Sequence, residues 1–272
     1  MNAASAVTIT GESDVAEVVA ADASSGLLLI CEHASNIVPA PLSDLGLSGD
    51  QLTEHIAWDI GAAALTRALS ARLDATAVLA RYSRLVIDCN RAPTAHDLVP
   101  PESDGTMIPG NADLNADQHA LRLENYHAPY HRCVERLLAD RDRSVPYAAM
   151  VSVHSFTPRM NGEDRPWHLG LLFDDDKRLA LALHAECADE AGCVVGLNQP
   201  YAPSDGVYYA LTRHAAPRHM PNVMLEVRND LLLSGPDIAQ QAERLSRWLG
   251  NALANLAEMD SRQSGQRKTL QA

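Results

Sequence analysis

The chain has 272 residues, 46% of them hydrophobic, which is enough apolar material for one large domain with a substantial core and excludes a disordered chain. Its 22 Lys+Arg stand against 35 Asp+Glu, a formal charge of -13, so a general nucleic-acid binder is excluded: a phosphate backbone would be repelled, although one cleft can still be locally basic. The first 25 residues lack the basic start and apolar core of a secretory signal, and no segment reaches the roughly 18 apolar residues of a membrane span, so a cytoplasmic protein without membrane contact is expected.

In chain order, residues 1–25 read as a variable N-terminal segment, 26–257 as a single catalytic domain and 258–272 as a polar tail that should fray. The first candidate strand is LLLIC at 27–31, followed by a helix over 51–73 whose stripe holds Leu52, Ile56, Ile60 and Ala64. Strands TAVLA (76–80) and RLVIDC (84–89) come next, then a Pro- and Gly-rich connection over 92–112. A helix over 117–138 should kink or end at Pro129, and strand AAMVSV (148–153) leads into an irregular stretch from Phe156 to Pro166. Strand HLGLLF (168–173), a helix over 176–190, strand CVVG (193–196), the loop QPYAPSDG (199–206), strand NVMLEV (222–227) and a helix over 237–255 complete the chain. These strands are apolar on both faces, which predicts an α/β fold with a mainly parallel, mixed sheet covered by helices on each side. The long loops are expected to wall a site.

Five cysteines, Cys31, Cys89, Cys133, Cys187 and Cys193, form no CxxC and an odd set, so they read as small buried side chains rather than a disulfide scaffold. Parallel sheets place their sites beyond the carboxyl ends of strands, and polar clusters fall at such ends: Glu32-His33-Ala34-Ser35-Asn36, Asp88-Cys89-Asn90-Arg91, His154-Ser155 and Glu226-Val227-Arg228. Two imidazoles, His33 and His154, with a carboxylate are a zinc ligand set that leaves a position open for water. The carboxylate is Asp59, which shares a predicted helix face with His55, or else Glu32, which can instead orient an imidazole through a hydrogen bond. Glu226 closes an apolar strand, where burial would raise its pKa into the range of a general base; the alternative is an ion pair with Arg228.

Guanidinium groups suit a substrate carboxylate because their planar fork bonds it bidentately. Arg91, past a strand and beside the long loop, is the first candidate for that catalytic anchoring role. Arg81, Arg84, Asn90, Ser155 and Asn36 are further substrate-binding candidates, with Asp88 as an alternative partner for Arg84. A serine nucleophile at Ser155 lacks a GxSxG elbow, and a thiol nucleophile at Cys31 beside His33 lacks a supporting signature.

The ordered set CEHASNIVPAPLSDLG, LTEHIAWDIGAAAL, LARYSRLVIDCNRAP, VSVHSFTP and MLEVRNDL resembles the N-formylglutamate amidohydrolase family over about residues 27–250. The resemblance implies a three-layer phosphorylase/hydrolase-like fold related to zinc carboxypeptidases and aspartoacylases. It also implies a zinc-dependent amidase, typified by release of formate from N-formyl-L-glutamate in histidine catabolism. His33, His154 and Glu226 match that superfamily's two metal histidines and base, and Asn90-Arg91 its carboxylate-binding pair. Asn36 stands where the superfamily's HxxE motif has its glutamate, so the third ligand is sought at Asp59, with Glu32 and Asn36 as alternatives. One Zn²⁺ or other divalent ion per chain, a small anionic N-acyl amino acid substrate, and a monomer or homodimer follow as expectations. Another small N-acyl amino acid or amide, or a noncatalytic metal- and carboxylate-binding role, are the competing readings.

Overall fold

The computed structural model describes residues 12–141, 147–160, 162–188 and 190–270. One 7-stranded sheet contains β1 (Ala16–Val19), β2 (Leu27–Cys31), β3 (Thr76–Ala80), β4 (Ala149–Phe156), β5 (Leu169–Leu172), β6 (Val195–Leu197) and β7 (Asn222–Arg228). Their spatial order is β1-β3-β2-β4-β7-β5-β6. The four central strands β3, β2, β4 and β7 are mutually parallel; β1 on β3 and β5 on β7 are antiparallel, and β6 joins β5 in parallel.

Alternation along each strand divides the core into two layers. Leu27, Leu29 and Cys31 of β2 point to the face covered by α1 (Ala62–Leu73), α3 (Arg178–Cys187) and α5 (Gly235–Leu270), through Leu65, Leu183 and Trp248. Leu28 and Ile30 point to the opposite face with Met150 and Met224, under Tyr130 and Val134 of α2 (Ala128–Asp140) and Leu211 of α4 (Tyr209–His214). This is the expected α/β three-layer arrangement with a mainly parallel, mixed sheet.

Three local expectations, at residues 84–89, 51–73 and the C-terminal tail, fail. RLVIDC at 84–89 is not a strand but a buried loop. The carbonyl of Leu85 accepts from Asn111 Nδ2 (2.9 Å) and that of Val86 from Arg122 Nη1 (3.0 Å), so side chains satisfy the backbone where a neighbouring strand would have done so. The helix expected over 51–73 is interrupted: a short helix, Gly49–Thr53, capped by Ser48 and Gln51, precedes an irregular passage, and α1 starts only at Ala62. Gly61 makes the turn at φ +82°, and a Cβ there would lie 2.4 Å from Leu232 Cβ. At Pro129 the helical stretch is interrupted, as expected, but not ended: a π turn over Leu123–His127 precedes it and α2 begins with Pro129 in its first turn. The polar tail expected to fray continues α5 as far as Leu270, while residues 271–272 fall outside the described set. β1 also sets an edge strand inside the segment expected to be variable.

The connection from β2 goes to β3 on one side, while β4 pairs on the other side of β2. Loops leaving β2 and β4 therefore diverge, and a crevice opens between their carboxyl ends. On the face that carries Leu28, Ile30, Met150 and Met224, the alternating positions become polar at this end: Glu32, then Ser152 and His154, then Glu226. Glu226 is the register partner of His154.

Candidate metal centre

His33 follows β2, and His154 lies near the end of β4. Asp59 comes from the turn before α1, where its N–H donates to the His33 carbonyl (3.0 Å) and its carbonyl accepts from Ala62 (3.1 Å). Ligand atoms of these three buried residues lie within 4.8 Å of one another. Asp59 reaches the site from this turn rather than from a helix face shared with His55, whose Nε2 instead meets Asp104 Oδ2 at 3.0 Å.

Each imidazole is oriented by a second carboxylate. Nε2–H of His33 donates to Asp88 Oδ1 (2.7 Å), and Nε2–H of His154 donates to Glu32 Oε2 (3.1 Å), which also accepts from Ser152 Oγ (2.8 Å). A carboxylate can only accept, so both Nε2 atoms carry their protons; by the same rule Nδ1–H of His154 donates to Asp59, a proton that an ion bound at Nδ1 would replace. Both Nδ1 atoms face Asp59, at 3.4 Å from Oδ1 for His33 and 2.7 Å from Oδ2 for His154. His33 Nδ1 is buried and makes no hydrogen bond. A desolvated lone pair without a donor is costly unless a cation takes it. Two imidazole nitrogens and one carboxylate, with a cleft on the remaining side, fit a single divalent ion such as Zn²⁺.

Without an ion, a proton shared with the carboxylates takes the cation's place. Burial opposes charge on His154, but hydrogen bonds to Asp59 and Glu32 outweigh it and hold the imidazole well above its ordinary pKa. Burial acts to raise Asp59 and Asp88; the neighbouring histidines, with Arg84 in the case of Asp88, overcome it and keep both carboxyls below the usual range. Glu226 is the exception. Burial pushes its pKa up to about 8, Asp59 adds to the effect, and its Oε2 has no hydrogen-bond partner.

The cleft above the triad is lined by Arg84, Asn90, Arg91, Ser155, Thr157 and Glu226, among others. Arg84 is tied to the acids of the centre, Asp88 at 2.9 Å and Asp59 at 3.8 Å. Arg91 bonds Asp97 through Nε (2.7 Å) and the Gly206 carbonyl through Nη1 (3.4 Å). Asn90 donates to the Val207 carbonyl and accepts from Ala210 N–H (3.2 Å), so its amide anchors the segment entering α4. Ser155 Oγ donates to the Ile60 carbonyl (2.8 Å), and neither nitrogen of His154 is turned to it, which removes the serine-nucleophile alternative. Burial raises the Cys31 thiol well above its ordinary pKa, which removes the thiol one.

Two sequence candidates lie elsewhere. Arg81 is exposed and does not line the cleft; its N–H pairs with the Val15 carbonyl (2.9 Å) because it follows β3 at the sheet edge. Asn36 donates to the Leu52 carbonyl (2.8 Å) and so closes the loop after β2 rather than facing the triad. Asp88 and Glu32, as orienters of His33 and His154, are the residues that sequence reasoning underused. Their signal was present, an acid ending an apolar run in each case.

The family model for N-formylglutamate amidohydrolase matches residues 25–233. The chain belongs to the N-formylglutamate amidohydrolase family. A solved gene product of Agrobacterium tumefaciens, Atu2144, is 39% identical with a TM-score of 0.87, covering 92% of this chain and 99% of that one. The N-formylglutamate amidohydrolase from Ralstonia eutropha JMP134 shares the fold at 16% identity and a TM-score of 0.62, covering 90% of this chain and 98% of that one. No curated protein matches. Family membership and the buried His33, Asp59 and His154 triad support metal-dependent amide hydrolysis of an N-acyl amino acid. Among the described residues no helix is long and apolar enough to cross a membrane.

Proposed function

We infer that the protein is a cytoplasmic amidase that hydrolyses a small N-acyl amino acid, N-formyl-L-glutamate or a close analogue, to formate and the free amino acid. The observation that carries this reading is the meeting, in one cleft, of the unpartnered His33 Nδ1 with the unpartnered Glu226 Oε2. His33, Asp59 and His154 would hold the metal, and Glu32 and Asp88 keep the imidazole lone pairs aimed at it. When bound, a divalent ion supplies Lewis acidity, acidifying water and polarising the acyl carbonyl.

Glu226 takes the proton of the attacking water and returns it to the departing amide nitrogen. Its burial suits this exchange, because a carboxyl whose pKa lies near the working pH can both accept and release a proton. Arg91 holds the substrate carboxylate and so fixes the scissile bond relative to Glu226. Thr157 Oγ1, buried without a partner in the same lining, is a further hydroxyl available to the substrate. A volume of about 170 Å³ suits a small substrate of this class. One ion per chain, a monomer or homodimer, and no nucleic-acid or membrane partner belong to the same reading.

Metal content after purification tests the centre. The parent should retain stoichiometric zinc, and His33→Ala and His154→Ala should lose it. Full zinc in both variants would overturn the ligand assignment.

A further inference from the structure

The cleft is chemically two-sided. Its cationic side is small: Arg84 pairs with Asp88 (2.9 Å) and lies 3.8 Å from Asp59, so its guanidinium is committed to the acids of the centre. Arg91 commits Nε to Asp97 (2.7 Å) and Nη1 to the Gly206 carbonyl (3.4 Å), which leaves one guanidinium edge for one substrate carboxylate. Elsewhere the lining holds the His55–Asp104 pair (3.0 Å) and the Glu226 carboxyl, neither of which offers an unpaired cation. A second substrate carboxylate would lose its water there with no unpaired cation to replace it, which is unfavourable.

The apolar part of the lining includes Phe156, Met160 and Tyr201, which meet around Arg165 as one wall. Arg165 stiffens this wall from behind. Its guanidinium lies 4.8 Å from the Tyr201 ring centroid and 5.8 Å from that of Phe156, Nη1 donates to Tyr201 Oη (3.0 Å), and Nη2 sits 2.8 Å from Met160 Sδ. The wall is therefore braced in place, with both terminal nitrogens of the guanidinium committed to it.

We propose that the preferred substrate carries a single carboxylate, held by Arg91, and a neutral apolar or aromatic amino-acid side chain seated against Phe156, Met160 and Tyr201. This rests on the amidase reading above and refines it at the side chain, where the family's name would place a second carboxylate. Aliphatic or aromatic side chains gain contact with the wall, while the glutamate side chain gains none and loses hydration.

The test compares kcat/KM of the zinc-loaded full chain for the N-formyl derivatives of L-phenylalanine, L-leucine, L-glutamine and L-glutamate. Phenylalanine and leucine derivatives should exceed the glutamate derivative by about tenfold or more. Equal or faster turnover of N-formyl-L-glutamate overturns the proposal and leaves the amidase reading intact. Turnover of none overturns the amidase reading; calorimetric titration of the same compounds then decides the side-chain preference, with tighter binding of the apolar derivatives supporting it and tighter binding of the glutamate derivative overturning it. Met160→Arg, which puts a cation into the wall, should shift the phenylalanine-to-glutamate ratio by about tenfold toward glutamate, whereas an unchanged ratio places the side chain elsewhere and overturns the assignment. Arg165→Gln should lower the phenylalanine rate more than the glutamate rate. A loss confined to N-formyl-L-glutamate would make Arg165 the partner of a second carboxylate and overturn the proposal.

Discussion

The molecule buries two groups of histidines and treats them in opposite ways. His33 and His154 stand with ring centroids 4.7 Å apart among Asp59, Asp88 and Glu32. His127, His131 and His214 stack below the neighbouring loop, at 4.4 Å between the first pair and 5.1 Å between the second. No carboxylate pairs with that stack among the described residues; its hydrogen bonds include one to the Arg91 carbonyl from His127 (3.0 Å) and one between His131 Nδ1 and His214 Nε2 (2.8 Å). Burial lowers the pKa of all three, to about 3 for His214 and well below the ordinary value for His131. Burial therefore does not decide what a histidine does. Carboxylates around His154 suit it to hold a cation, and their absence around His131 and His214, among the described residues, leaves those rings as neutral packing.

The largest test of this contrast is zinc content. His131→Gln should retain the zinc that His154→Ala loses, and loss of zinc from both would erase the functional distinction between the groups. Next comes Glu226→Gln, which should keep zinc while kcat falls by roughly 10² to 10⁴. Unchanged turnover with intact fold and zinc would remove Glu226 from the proton path. Smaller effects follow from the carboxylates behind the ligands: Glu32→Gln and Asp88→Asn should each weaken zinc affinity by about 10- to 100-fold, measured by competition with a chelator. Asp88→Asn should have the added consequence of releasing Arg84, which is paired to the same carboxylate at 2.9 Å.

Most of this architecture was legible in local sequence. Doubly apolar runs such as LLLIC and NVMLEV became central strands because both faces of the sheet are covered, and the acids and histidines at their ends fell on one edge. RLVIDC misled for an instructive reason. A run that is buried on all sides looks the same whether a neighbouring strand or the side chains of Asn111 and Arg122 satisfy its backbone, and those partners are distant in the chain. Asp59 does meet His33 and His154, but by another local geometry than the one expected: a helical spacing from His55 was assumed where Gly61 imposes a turn. Arg81 and Asn36 failed because a residue type announces capacity to bind, while only the tertiary structure shows whether that capacity is already used or faces away. The pairing of Glu32 with His154 could not be read at all from adjacency to His33, because it crosses from β2 to β4.

The last and smallest effect isolates the neutral stack through stability against pH. In the unfolded chain a histidine takes up a proton near its ordinary pKa of about 6.5, whereas His214 in the folded protein does so only near about 3. Between those values the unfolded state binds more protons than the folded one, so stability is lost as pH falls below about 6.5, and the loss from this residue ceases near 3. His154 has the opposite sign in metal-free protein, since its raised pKa favours the folded state as pH falls through that value, so the raw acid profile mixes the two groups. Subtraction separates them. The stability difference between the parent and His214→Gln, taken from denaturant unfolding at successive pH values, should be flat above pH ~7 and should move against the parent by up to about 1.4 kcal/mol per pH unit below about 6.5. A difference that stays flat from neutrality to pH ~4.5 would mean that His214 accepts its proton in the folded protein at little cost, and the stack would no longer be the neutral counterpart of the metal centre.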